Sequence, residues 1–110
     1  VNTSGEEQKN GSSADEAIAL GRHILARCPH LTMKGFMTIG SVENSEKVPN
    51  PDFDLLVGMR ERFAKETGID EEELELSMGM SADMETAIRQ GSTSVRVGSS
   101  IFGARNYAKH

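Results

Sequence analysis

Tryptophan is absent from this 110-residue chain, tyrosine and cysteine occur once each, and aromatic residues make up 5% of it. The single Cys28 excludes an internal disulfide and fits a reducing compartment. Cytoplasm is therefore the default, with the mitochondrion left open. Positive charge is scarce, with 12 Lys and Arg against 17 Asp and Glu and a net charge of −5, which argues against nucleic acid or an anionic membrane as partner. No apolar run approaches the roughly 18 to 20 residues of a membrane span. The length suits one small domain over 1–110 with no second domain.

What is present is a periodic pattern. Val1-Asn2-Thr3 reads as the end of a strand entering a polar loop. A chain that begins inside a strand, and with Val, is expected to be a fragment, a processed product or part of a longer protein. Ser13 followed by Glu16 is a capping-box pattern, and Ala17, Leu20, Gly21, Ile24, Leu25 and Cys28 recur at helical spacing until Pro29 stops them. Cys28, at that helix end, reads as a packed thiol. Met33 to Gly40 is a short apolar run, expected to be a strand. Asn50 and Pro51 open a second helix whose stripe is Phe53, Leu56, Val57, Arg60, Phe63 and Ala64, with Gly68 as a left-handed cap. Asp70 to Glu73 reads as a solvated acidic connector. Leu74 to Ser77 predicts a strand. Ser81 is expected to cap a helix bearing Met84, Ala87 and Ile88, closed by Gly91, and Thr93 to Val97 predicts the last strand.

Strand and helix thus alternate, which implies a parallel α/β sheet of about four strands with crossover helices. Such a sheet has two open edges, a liability that a closed barrel removes. A piece of a barrel is accordingly expected to be marginal alone, or to self-associate.

The stretch from Leu74 to Arg105 concentrates the chemistry. Two turns open at the carboxyl ends of successive strands, where orphan N–H groups and helix dipoles favour anions. Ser77, Gly79, Ser81, Gly98, Ser99 and Ser100 are small or hydroxylated, so a phosphate can reach backbone. Arg96 lies between Val95 and Val97 and faces away from them on a strand. An arginine in an apolar strand needs an anionic or hydrogen-bonding partner, and a carboxylate such as Glu75 would serve as well as a ligand. On residues alone a phosphate site and a set of tight turns remain equally open. His23, His30 and His110 lack metal-ligand spacing, and Ser77 to Ser81 lacks the glycines of a nucleophile elbow. Asp83, in the first turn of its helix, is expected to point outward.

The motifs LSMGMSADMETAI and GSTSVRVGSSIFGAR, with the opening VNTSGEEQKNG and the central GFMTIG, resemble the pyridoxal 5′-phosphate homeostasis proteins, a family of pyridoxal phosphate-binding proteins. The resemblance spans nearly the whole chain and matches the carboxyl-terminal half of such proteins. It implies the C-terminal part of a TIM-type (β/α)8 barrel like the alanine racemase N-terminal domain. A complete barrel needs roughly 200 to 250 residues. The resemblance also implies that Ser81, Gly98 and Ser99 hold the cofactor phosphate and that Arg96 lies near the pyridine nitrogen. A guanidinium there stays protonated and disfavours a protonated ring, which limits carbanion chemistry. The family's Schiff-base lysine has no counterpart in Lys9, Lys34, Lys47, Lys65 or Lys109, so it is not within this chain. The implied role is binding and delivery of pyridoxal phosphate without catalytic turnover. The rival readings are a racemase-like enzyme and a barrel fragment that works through assembly.

Overall fold

The computed structural model describes residues 1–105; Lys109 and His110 lie outside the described residues. Helix α1 (Ala14–Arg27) starts at Ser13, whose Oγ accepts the Glu16 N–H at 3.2 Å and whose hydroxyl donates to Glu16 Oε1 at 3.0 Å. The expected cap is there, although the glutamate takes the serine hydroxyl and not its backbone N–H. The buried face differs from the one read off the spacing. Ala17, Ile18 and Gly21 are buried, whereas Leu20 and Leu25 are 53% and 46% exposed. Close approach to the second helix explains the rotation. A Cβ on Gly21 would lie 2.6 Å from Phe63 Cε1, so this helix meets its neighbour through its smallest residue.

Strand β1 (Gly35–Met37) is shorter than the apolar run that predicts it, although the Thr38 N–H still donates to the Ser77 carbonyl at 3.0 Å. Helix α2 (Pro51–Thr67) has the expected ends: Asn50 Oδ1 accepts the Asp52 N–H at 2.8 Å, and Gly68 closes it in the left-handed region. Its stripe buries Phe53, Leu56, Met59 and Phe63, and Phe63 meets Phe36 of β1 edge-on at 5.5 Å between ring centroids. Arg60 lies half-buried beside that stripe, 3.6 Å from Glu71. The acidic connector forms a 3-10 turn, Glu71–Glu73. Strand β2 (Glu75–Met80), helix α3 (Met84–Arg89), strand β3 (Ser94–Arg96) and the short helix α4 (Ser99–Phe102) follow.

The sheet is parallel and three-stranded, in the order β1-β2-β3. The fourth strand expected at Val1–Thr3 is not formed. Asn2 gives its N–H to the Ser12 carbonyl at 2.8 Å and so closes its own loop, leaving only isolated bonds to the β1 end: Val1 ammonium to Met37 O at 2.6 Å and Thr3 Oγ1 to Thr38 Oγ1 at 2.8 Å. One face of the sheet carries the core, where Phe36, Leu76 and Met78 pack with Phe53, Leu56, Phe63 and Ala87. The other face is open, with Met37, Ile39 and Met80 exposed by 42%, 55% and 44%. Parallel sheets are ordinarily covered on both faces.

Two side chains brace the start of α2. Gln90, just after α3, treats the Asn50 backbone as a peptide partner: its Oε1 accepts the Asn50 N–H at 2.7 Å, and its Nε2 donates to Asn50 O at 2.9 Å and Asp54 Oδ1 at 2.8 Å. Asp52 is buried, and its Oδ2 accepts from Ser41 N–H and Asn44 Nδ2, each at 3.0 Å. It thereby anchors the loop that leaves β1.

Burial raises the Asp52 pKa, but hydrogen bonds from Ser41, Asn44 and Thr3 together outweigh it and hold the carboxyl below the ordinary value of 3.8. A depressed folded-state pKa contributes stability above the ordinary value and loses it as pH falls through the folded one. Asp52→Asn should therefore cost about 1 to 3 kcal/mol at neutral pH, with the gap narrowing in acid. Urea unfolding of both proteins at pH 7 and at pH 3 checks it. The open apolar face and unpaired sheet edges also predict that residues 1–110 alone self-associate or melt without cooperativity. A monodisperse monomer with a sharp melt, seen by sedimentation and calorimetry, would count against that expectation.

Candidate functional site

β2 and β3 run in step at Ser77 and Ser94, and again at Met80 and Arg96. Between these points Met78 and Gly79 together oppose Val95 alone, which makes a β-bulge in β2. Gly79 occupies it with φ +103° and is buried against α3. The bulge turns Met80 onto the open face and sends the chain into the Met80–Asp83 turn. That turn is closed by Asp83, whose Oδ1 accepts the Met80 N–H at 2.7 Å and whose own N–H donates to Met80 O at 3.2 Å. Asp83 is buried, correcting the expectation that it points outward. It belongs to the turn, because a short carboxylate at this position captures the backbone two to three residues back.

Ser81 is also placed differently from the expectation that it caps a helix. α3 begins three residues later, at Met84. The Ser81 hydroxyl instead reaches across to the next turn, where Oγ accepts the N–H of Gly98 at 3.0 Å and of Ser100 at 3.2 Å. With those two N–H groups as donors, the hydroxyl proton remains free to donate. The Ser99 N–H, the first of its helix and so without an intrahelical acceptor, has no other acceptor among the described residues. Gly98 is exposed, and nothing lies within 4 Å of the place a Cβ would take. The arrangement therefore offers a hydroxyl donor and a backbone donor to an acceptor-rich group.

Ser81, Gly98 and Ser99 line one open groove of 980 Å³, together with Ile39, Ser41, Val42, Met80, Asp83 and Phe102. Ligand sites commonly enclose roughly 300 to 1,000 Å³. Three of the four residues singled out from the sequence thus come together. The fourth, Arg96, is not part of the lining. It lies deeper on the open face, donating through Nη1 to Ser77 Oγ and through Nη2 to the Thr38 carbonyl at 2.8 Å. Glu75, the carboxylate considered as its partner, sits at the far end of β2 opposite Gly35 and does not pair with it. Lys9, given no role in the sequence reading, also lines the groove, with Nζ on the Gly40 carbonyl and 3.4 Å from Glu6. Among the described residues no group of three His, Cys, Asp or Glu side chains could hold a metal ion, and no helix is long and apolar enough to cross a membrane.

Residues 1–106 match the family model described as "Alanine racemase, N-terminal domain". The chain is 52% identical over 110 residues to the human pyridoxal phosphate homeostasis protein, covering 99% of this chain and 40% of that protein. The protein of the same name from Caenorhabditis elegans is 52% identical over 108 residues, covering 97% and 44%. The Haemophilus influenzae one is 38% identical over 108 residues, covering 98% and 45%. The crystal structure of an unknown protein from Bifidobacterium adolescentis superposes with a TM-score of 0.78 at 38% identity, covering 93% of this chain and 40% of that one. The chain thus spans less than half the length of these relatives. With the family model matched over nearly all of its length, the chain belongs to the alanine racemase N-terminal domain family.

Proposed function

We propose that this chain forms the phosphate-holding side of a pyridoxal 5′-phosphate-binding TIM-type barrel and serves homeostasis of that cofactor by binding and handing it on, without turnover. The observation that carries the reading is the Ser81 hydroxyl, held by the Gly98 and Ser100 N–H groups with its proton free, beside the unpaired Ser99 N–H. These donors suit a phosphate, which only accepts at neutral pH apart from its last proton. The names of the relatives at 52% identity agree with the cofactor.

The residues present fit the phosphate end of the cofactor. Ser81 would donate to a phosphate oxygen, Ser99 would add its N–H, and Gly98 would let the anion approach backbone. Arg96, without a carboxylate partner among the described residues, would face the ring. When bound, the cofactor supplies an aldehyde conjugated to an electron-withdrawing ring. No lysine in the motif for covalent attachment occurs here, so this chain's part is noncovalent anchoring. A fixed cation near the ring weakens it as an electron sink, which favours storage over racemase-like chemistry.

Absorbance titration of the protein with pyridoxal phosphate and with pyridoxal tests the reading. The phosphate should add most of the affinity, and Ser81→Ala should weaken only the phosphorylated ligand, by about 1 to 2 kcal/mol. Equal affinity for both vitamers would overturn the phosphate site. Sustained amino-acid racemisation by the loaded protein would overturn the non-catalytic role.

A further inference from the structure

Arg96 is a half-buried guanidinium whose side-chain partners are neutral. Nη1 donates to Ser77 Oγ and Nη2 to the Thr38 carbonyl at 2.8 Å, and it forms no ion pair among the described residues. The acceptors come from different segments, Ser77 from β2 and Thr38 from the residue just beyond β1. Both are held in place. Thr38 is buried, its N–H donates to Ser77 O at 3.0 Å, and its hydroxyl bonds Thr3 at 2.8 Å and accepts the Gly40 N–H at 3.2 Å.

A carboxylate would orient a guanidinium and also cancel its charge. A hydroxyl and a carbonyl orient it and leave the charge whole. The bulge in β2 brings the Arg96 backbone opposite Met80, while the guanidinium itself sits at Ser77 and at Thr38, the residue before Ile39 of the groove lining. Of the charged groups that line the groove, Lys9 is engaged on the Gly40 carbonyl and on Glu6, Asp83 is engaged on the Met80 N–H, and Arg105 lines it as well.

We propose that Ser77 is a positioning residue, whose hydroxyl, with the Thr38 carbonyl, pins the Arg96 guanidinium so that an undiminished positive charge is held in one place beside the ring of a phosphorylated heteroaromatic ligand. The ligand part of this inference rests on the pyridoxal phosphate reading of the groove. A cation fixed near a basic ring nitrogen disfavours its protonation. A guanidinium free to swing into water is screened and acts less. The hydroxyl of Ser77 thus acts on the ring through the location of a charge that belongs to another residue.

The test has two arms. In the ligand-free protein with isotope-labelled arginine side chains, the two Nη groups of Arg96 should give separate, slowly exchanging resonances. Ser77→Ala should merge them into the averaged signal of a free arginine, and Ser77→Thr should restore the separation. An averaged Arg96 signal in the wild type, or separate signals in Ser77→Ala, overturns the pinning whatever the ligand does. In the second arm the protein is loaded with pyridoxal phosphate labelled at the ring nitrogen. Ser77→Ala should shift the ring resonance toward its protonated position at constant pH, and Ser77→Thr should return it. A ring resonance unmoved by Ser77→Ala overturns the proposed action on the ligand. If the wild type does not bind pyridoxal phosphate while the arginine arm behaves as expected, the cofactor reading falls and the pinning of Arg96 is upheld.

Discussion

Between β2 and α3 there is room for backbone but not for a side chain. A Cβ on Gly79 would lie 2.5 Å from that of Ala87 and 3.3 Å from Val95 Cγ1, and the residue sits at φ +103°, where other residues are strained as well. This one crowded contact sets the rest of the mouth. It lets Met78 and Gly79 share the space opposite Val95, so that Met80 emerges on the open face and Ser81 arrives level with Gly98. It also places Arg96 opposite Met80 instead of opposite the bulge. The Ser81 and Ser99 donors and the guanidinium are therefore related by a single backbone irregularity, although they lie in separate turns and strands.

The core on the other face is built for rigidity at that point. Leu76 and Met78 are fully buried on the helix side of the very strand that bulges, and Phe63 wedges between Phe36 and the bare backbone of Gly21. Close packing of this kind transmits displacement poorly into empty space, because there is little of it. Ser81 and Arg96 thus stand on a packed floor while they themselves remain partly exposed.

How much of this was legible from the residues depended on distance along the chain. The caps at Ser13, Asn50 and Gly68 act within a turn of themselves, and each forms as its neighbours dictate. The alternation of strands and helices was legible for the same reason. The rotation of α1, burying Ile18 and exposing Leu20, was not, since it follows from a contact between Gly21 and Phe63 that helical spacing does not encode. The role of Ser81 was legible in kind but not in geometry. Its hydroxyl serves a turn seventeen residues away, and a local cap was the nearer inference. Asp83 could have been read as a turn residue from the Ser-Ala-Asp sequence before the helix. Asp52 and Ser77 gave no such signal, because their partners come from separate segments: Ser41 and Asn44 for the one, Arg96 for the other.

The bracing of α2 by Gln90 has a dynamic consequence. A side-chain amide that satisfies both the N–H and the C=O of Asn50 closes the span from residue 50 to residue 90 into one hydrogen-bonded circuit, with α2 leaving from one pole and α3 arriving at the other. Neither helix can fray at that end without releasing the other, because the Gln90 bonds to Asn50 and to Asp54 serve both. Amide exchange at the start of α2 should accordingly share one opening free energy with the end of α3, as a single cooperative unit formed by segments remote in sequence.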